Sequence, residues 1–111
     1  MSAAFNRMAT QEARTQRTTL DGDVIVKIPS LKCFRISPAN NGDELRETFR
    51  LSTMNLLLDT YLEGDLDVEI GDILIPIGGM YDGYEFPVRL VLPAPFRDEI
   101  HKRVVLEDLK K

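Results

Sequence analysis

A chain of 111 residues has the size of one compact domain and leaves no room for two. With 43% hydrophobic and 29% charged residues it can bury enough apolar area to offset ordering entropy, which excludes disorder throughout. The formal charge of −4, from 14 Lys and Arg against 18 Asp and Glu, argues against a general nucleic-acid binder, whose affinity comes largely from displacing phosphate counterions.

The charge is unevenly spread. Residues 1–18 carry Arg7, Arg14 and Arg17 against Glu12, and residues 97–111 carry five basic against four acidic side chains, so the acidic excess sits in the middle. Cys33 is the only cysteine, which rules out an intrachain disulfide and a cysteine-built zinc cluster. No apolar run reaches the roughly 18 to 20 residues that span a bilayer. A cytoplasmic protein without membrane contact is the expectation.

From the beginning of the chain, residues 1–19 are rich in Ala, Gln, Thr and Arg, with Phe5, Met8 and Ala9 as the clustered apolar side chains. This composition fits an N-terminal arm or a short helix through about Arg14 to Arg17, ahead of a single α+β domain over 20–111. Leu20-Asp21-Gly22-Asp23 is a turn. It begins like a calcium loop, but Lys32 occupies the twelfth position, where an EF-hand requires Glu. Val24 to Ile28 then reads as a strand that is apolar on both faces and therefore internal or covered, stopped by Pro29.

Residues 31–37 alternate and predict a second strand, and the Ser37 to Asp43 stretch with its Asn41-Gly42 step is the strongest loop signal in the chain. Leu45, Glu47, Phe49 and Leu51 alternate with Arg46, Thr48 and Arg50, which favours a strand over 44–51; a helix beginning at Asp43 is the alternative, since Leu45, Phe49 and Leu56 share a helical face. Ser52 is placed to cap a helix over 53–63, with Leu56, Leu57, Leu58, Tyr61 and Leu62 as a broad apolar face and Gly64 as its stop.

Two β-rich runs follow, 66–77 and 85–92, joined by Gly78-Gly79-Met80-Tyr81-Asp82-Gly83-Tyr84 as in a hairpin. Period two sends Asp65, Asp67 and Glu69 to one face, either as a solvated face or as part of a cation site. Gly78-Gly79 lacks the Lys-Ser or Lys-Thr of a phosphate loop. After Pro93-Ala94-Pro95, the spacing of Phe96, Ile100 and Val104 predicts a C-terminal helix over 96–108, with His101, the only histidine, on its charged side and a frayed end at Lys110 and Lys111.

The expected fold is thus a small single α+β domain: a mainly antiparallel sheet of about five strands (near 23–28, 31–37, 44–51, 66–77 and 85–92), one central helix and a C-terminal helix. The catalytic inventory is thin, with one Cys, one His and no intact cofactor motif, so no catalytic residue, cofactor or metal site is assigned. A non-enzymatic protein-interaction or accessory module is the favoured reading, with a protein partner or self-association as a homodimer. Tyr81, Tyr84, Phe86, Val88 and Leu90 are its candidate contacts. The alternative is a ligand-binding or divalent-metal-assisted enzyme built on the acidic 63–85 region.

Overall fold

The computed structural model describes residues 7–51, 53–96 and 99–109. In chain order the elements are β1 (Gln11–Thr18), β2 (Val24–Cys33), β3 (Ser37–Pro38), α1 (Gly42–Thr48), β4 (Leu57–Glu63), β5 (Ile73–Ile77), β6 (Phe86–Phe96) and β7 (Glu99–Glu107). The strands form one sheet in the order β2-β1-β5-β6-β7-β4-β3, with every pairing antiparallel. The sheet rolls back on itself just after β2, where Phe34 N–H donates to the Tyr61 carbonyl at 3.1 Å and the Thr60 hydroxyl donates to Phe34 O at 2.6 Å.

The α+β class therefore holds, but the division between helix and sheet does not. Seven strands replace the expected five, and α1 replaces the expected central and C-terminal helices as the one helix bounded within the described residues. The cause lies in strands that are buried on both sides. In β4, Leu58, Thr60 and Leu62 face the main core while Leu57 faces the other way, and all four are buried. In β7, Val104 and Leu106 face the main core and Val105 the opposite side. Such runs have an apolar arc as wide as a buried helix shows, so periodicity alone does not separate the two.

The main core gathers Ala13, Leu31, Cys33, Ile36, Leu58, Leu62, Val68, Leu74, Phe86, Val88, Val104 and Leu106 inside the rolled sheet. A smaller core lies on the outer face, where Leu45 of α1 meets Leu57, Leu90 and Val105. Helix 42–48 thus occupies much of the segment expected as strand 44–51 and follows the alternative beginning near Asp43. Its acidic first turn, Asp43 and Glu44, suits the positive helix end, and Arg46 spans to Asp43 at 2.8 Å. Arg46 also donates to the carbonyls of Thr53 and Asn55, at 3.2 and 2.6 Å, which fastens the helix to the chain entering β4.

Other boundaries move for local reasons. Residues 11–18, expected in an arm or short helix, form β1 between β2 and β5. Pro29 does not stop β2, because the β1–β2 register shifts between Ala13 and Thr15 and accommodates the proline in an irregularity on an outer strand. Residues 66–72 are a turn-rich connection, so β5 begins only at Ile73. Within β5, the Pro76 carbonyl accepts from Gly83 N–H at 3.0 Å, so its backbone polar edge faces the loop and the missing N–H removes no bond to β1. His101 is buried on β7 rather than solvated on a helix. Phe5, the Ser52 cap and the terminal Lys110 and Lys111 lie outside the described residues.

The burial pattern at 56–58 separates the strand from the helix experimentally. Leu58→Ala should lower stability by about 2–5 kcal/mol in urea denaturation, as for a well-packed core leucine, and Leu57→Ala should fall in the same range. Leu56, 40% exposed, should give about 1 kcal/mol or less on the same substitution.

Candidate functional site

The candidate contacts named from the sequence divide sharply by burial. Phe86, Val88 and Leu90 are 1%, 0% and 6% exposed, so they are packed into the chain's own cores and offer no surface to a partner. Tyr81 is half-buried and Tyr84 is exposed, and both turn back onto β6. Their rings meet Phe86 with centroids at 5.4 and 5.8 Å and each other at 5.7 Å, mostly edge to face. The connecting loop is likewise tied down: Gly78 N–H donates to the Asp82 carboxylate at 2.7 Å, and Gln11 Nε2 donates to the carbonyls of Ile77 and Gly78. Gly79 has φ +82°, a backbone conformation that favours glycine, and a Cβ there would also stand 2.8 Å from the Gln11 Oε1 tip.

The acidic segment does not assemble a cation site. Asp72 is 2% exposed and is held by Arg17 of β1, with Nε to Oδ1 at 2.9 Å and Nη2 to Oδ2 at 3.0 Å; Oδ2 also accepts the Glu69 N–H at 3.0 Å. Arg17 reaches Asp67 as well, at 3.3 Å, and Lys27 of β2 meets Asp67 at 3.2 Å. These two cations hold the exposed Asp67 carboxyl below the usual carboxylate range, Arg17 having the larger effect. Arg17 itself is shifted upward by the same carboxylates, Asp72 first. Among the described residues no three His, Cys, Asp or Glu side chains converge as metal ligands would.

A second charged cluster joins the 53–55 segment to β6 and β7. Glu107 is 4% exposed, and its oxygens accept from Thr53 Oγ1 at 2.6 Å, Asn55 Nδ2 at 2.7 Å and Arg89 Nε at 2.6 Å. Burial alone would raise this carboxyl, but the three donors outweigh it and hold it below its ordinary range. The cluster borders a cavity of about 430 Å³ lined also by Arg50, whose φ of 54° is in the left-handed region. With both oxygens engaged, Glu107 is built to anchor the 53–55 segment rather than to take a proton from a substrate. Cys33 is fully buried, and burial pushes its thiol up to about 11. Neither group is poised for catalysis at neutral pH.

What remains open among the described residues is an edge. β2 ends the sheet, and although Leu31 and Cys33 of its second half are buried, Val24, Ile25 and Val26 are 63%, 44% and 53% exposed. The sequence, apolar on both faces, places these residues inside the sheet or under cover on both sides; the sign of an outer strand is Pro29. Thr19 N–H donates to the Asp23 carbonyl at 2.7 Å, and residues 16–18 pair with 24–26. The alternation of an antiparallel ladder then gives Ile25 its bonds to Arg17 and turns the N–H and C=O groups of Val24 and Val26 away from β1. The opposite end of the sheet differs. β3 has only two residues, one of them Pro38, which is how natural sheets blunt an edge.

Two ion-pair predictions follow from the buried carboxylates. Arg17→Ala removes both guanidinium bonds from the buried Asp72 carboxyl, and should lower stability by about 3–5 kcal/mol in urea denaturation; Arg17→Met with Asp72→Asn should recover part of that loss, since the amide oxygen still accepts from Glu69 N–H. Because the folded Glu107 carboxyl lies below its unfolded value, its stabilisation is present above the ordinary carboxylate range and is lost as pH falls through the folded value. Melting temperature followed from neutral to acid pH should therefore fall less steeply in Glu107→Gln than in the parent, from a lower neutral starting point.

No protein-family model matches the sequence, and no curated protein matches it. The fold is similar to the solution structure of protein SF1141 from Shigella flexneri 2a, a Northeast Structural Genomics Consortium target, with TM-score 0.60 over 94% of this chain and 96% of that one. At 8% identity this likeness concerns the fold alone.

Proposed function

We propose that this chain is a non-enzymatic interaction module whose binding element is the free edge of β2. The observation that carries the reading is the run Val24, Ile25 and Val26, three β-branched side chains left exposed on a strand with one side of its backbone unpaired among the described residues. An unblunted apolar edge is a template for an added strand, with main-chain hydrogen bonds giving affinity and alternate side chains giving specificity. The charged clusters support this by exclusion: the carboxylates of Asp67, Asp72 and Glu107 are engaged by Arg17, Lys27, Arg89 and neighbouring donors, and serve to hold the scaffold.

Amide exchange resolved by residue tests the reading. In dilute buffer Val24 and Val26 should exchange quickly while Ile25, bonded to Arg17, is protected. In an extract of the source cells, or at high protein concentration, the two valine amides should become protected. Valine amides that exchange equally fast under all three conditions would remove the interaction reading.

A further inference from the structure

The edge of β2 is complementary to itself in a register centred on Ile25, and from this we infer that its partner is a second copy of the same chain, joined antiparallel about a two-fold axis through Ile25. The inference rests on the interaction reading and names the occupant of that edge. Placing Ile25 opposite Ile25 of the partner sets Val24 against Val26 and Val26 against Val24. These two valines are the residues whose N–H and C=O groups point away from β1, so each facing pair exchanges both of its backbone bonds. Ile25, whose polar groups are taken by Arg17, falls at the non-bonded position, where side chains approach most closely.

The same register sets Asp23 opposite Lys27 and Lys27 opposite Asp23. Both residues are exposed, and cross-strand opposite charges stabilise a pair where like charges would destabilise it. Lys27 lies beside Asp67 within its own chain, at 3.2 Å, but Arg17 also meets Asp67, so Lys27 can turn to the partner without leaving that carboxylate unpaired. Slipping the register by two residues, to centre on Val26, would set Asp23 against Pro29 and Lys27 against Ile25. That alignment forms no charge pair and brings a proline lacking N–H into the contact.

Two features keep the contact short. The turn at Leu20 to Gly22 closes one end, and the β1–β2 register shift between Thr15 and Gln16, opposite Ile28 and Val26, disturbs the strand just past Val26. An edge of five residues buries a small area, so the dimer is weak and concentration-dependent. A closed two-fold arrangement uses up both edges and propagates no further, and the opposite end of the sheet, at β3, is blunted.

Sedimentation equilibrium over a hundredfold concentration range, with Asp23→Lys and Lys27→Asp, tests the register. The parent should move from monomer towards dimer mass as concentration rises. Each single variant places like charges opposite each other at both ends of the contact and should stay monomeric where the parent associates. An equimolar mixture of the two variants should associate at least as strongly as the parent, because each then meets the opposite charge at every position; a variant damaged in its own fold would not be rescued this way. A parent that remains monomeric throughout, or a mixture that does not associate, would overturn the second-copy inference. If valine amides are then still protected in cell extract, the interaction reading stands with a different partner; if they are not, both fall together.

Discussion

The pairing of Asp72 with Arg17 fixes the path on which the rest of the fold depends. Asp72 stands at the end of the connection from β4 to β5, where the chain crosses from one half of the sheet to the other, and its backbone also pairs, donating to Glu69 O at 3.1 Å and accepting from Val88 N–H at 2.8 Å. One residue thereby ties β1, the 66–72 segment and the start of β6. Lys102 of β7 adds a hydrogen bond to the Leu66 carbonyl on the other side of that segment. A buried ion pair contributes little net stability against an apolar replacement, but breaking it by removing one partner is expensive, so the pair enforces the route more than it strengthens the fold.

With the crossing fixed, the sheet can be buried on both faces over part of its width. The inner face closes around Leu58, Leu62, Leu74, Phe86, Val88, Val104 and Leu106, and α1 covers the outer face at Leu57, Leu90 and Val105. The cover has its own fastenings: Arg103 of β7 donates to Asn41 Oδ1 at 2.8 Å, just before the helix, and pairs with Asp59 of β4 at 2.8 Å. Seven helical residues with Leu45 as the buried one would not hold alone, and it is these contacts that seat them.

This two-sided burial also explains how much was legible in the sequence. The α+β class and the hairpin around 78–84 are local or compositional properties, and they are visible in turn residues and period-two runs. Leu56-Leu57-Leu58 and Val104-Val105-Leu106 are different, because a strand packed on both sides and a helix packed on one present the same clustered apolar residues. Gly42 to Thr48 was ambiguous for the opposite reason: its alternation of Leu45 and Glu47 fits a strand, and only the acidic first turn and the tertiary contacts of Arg46 decide for helix. The site was the least legible part. Whether Val24 to Val26 lie inside a sheet or on its rim depends on strand order, which no run of residues encodes by itself.

The position of β1 between β2 and β5 has a consequence for how the chain acquires its structure. β1 and β2 are joined by a tight turn and can pair as soon as both are made, but the other side of β1 must wait for Ile73 to Ile77, and β4 must wait for β7 some forty residues later. A fold dominated by such distant pairings forms slowly. During synthesis the early hairpin carries two open edges in place of one, and the edge of β1 that will later receive β5 is for that interval as available to a stranger as the rim of β2. Crowded ribosomes translating the same message would bring such hairpins close together, so the interval before β5 emerges is the point at which misassembly between nascent copies competes with the native roll of the sheet.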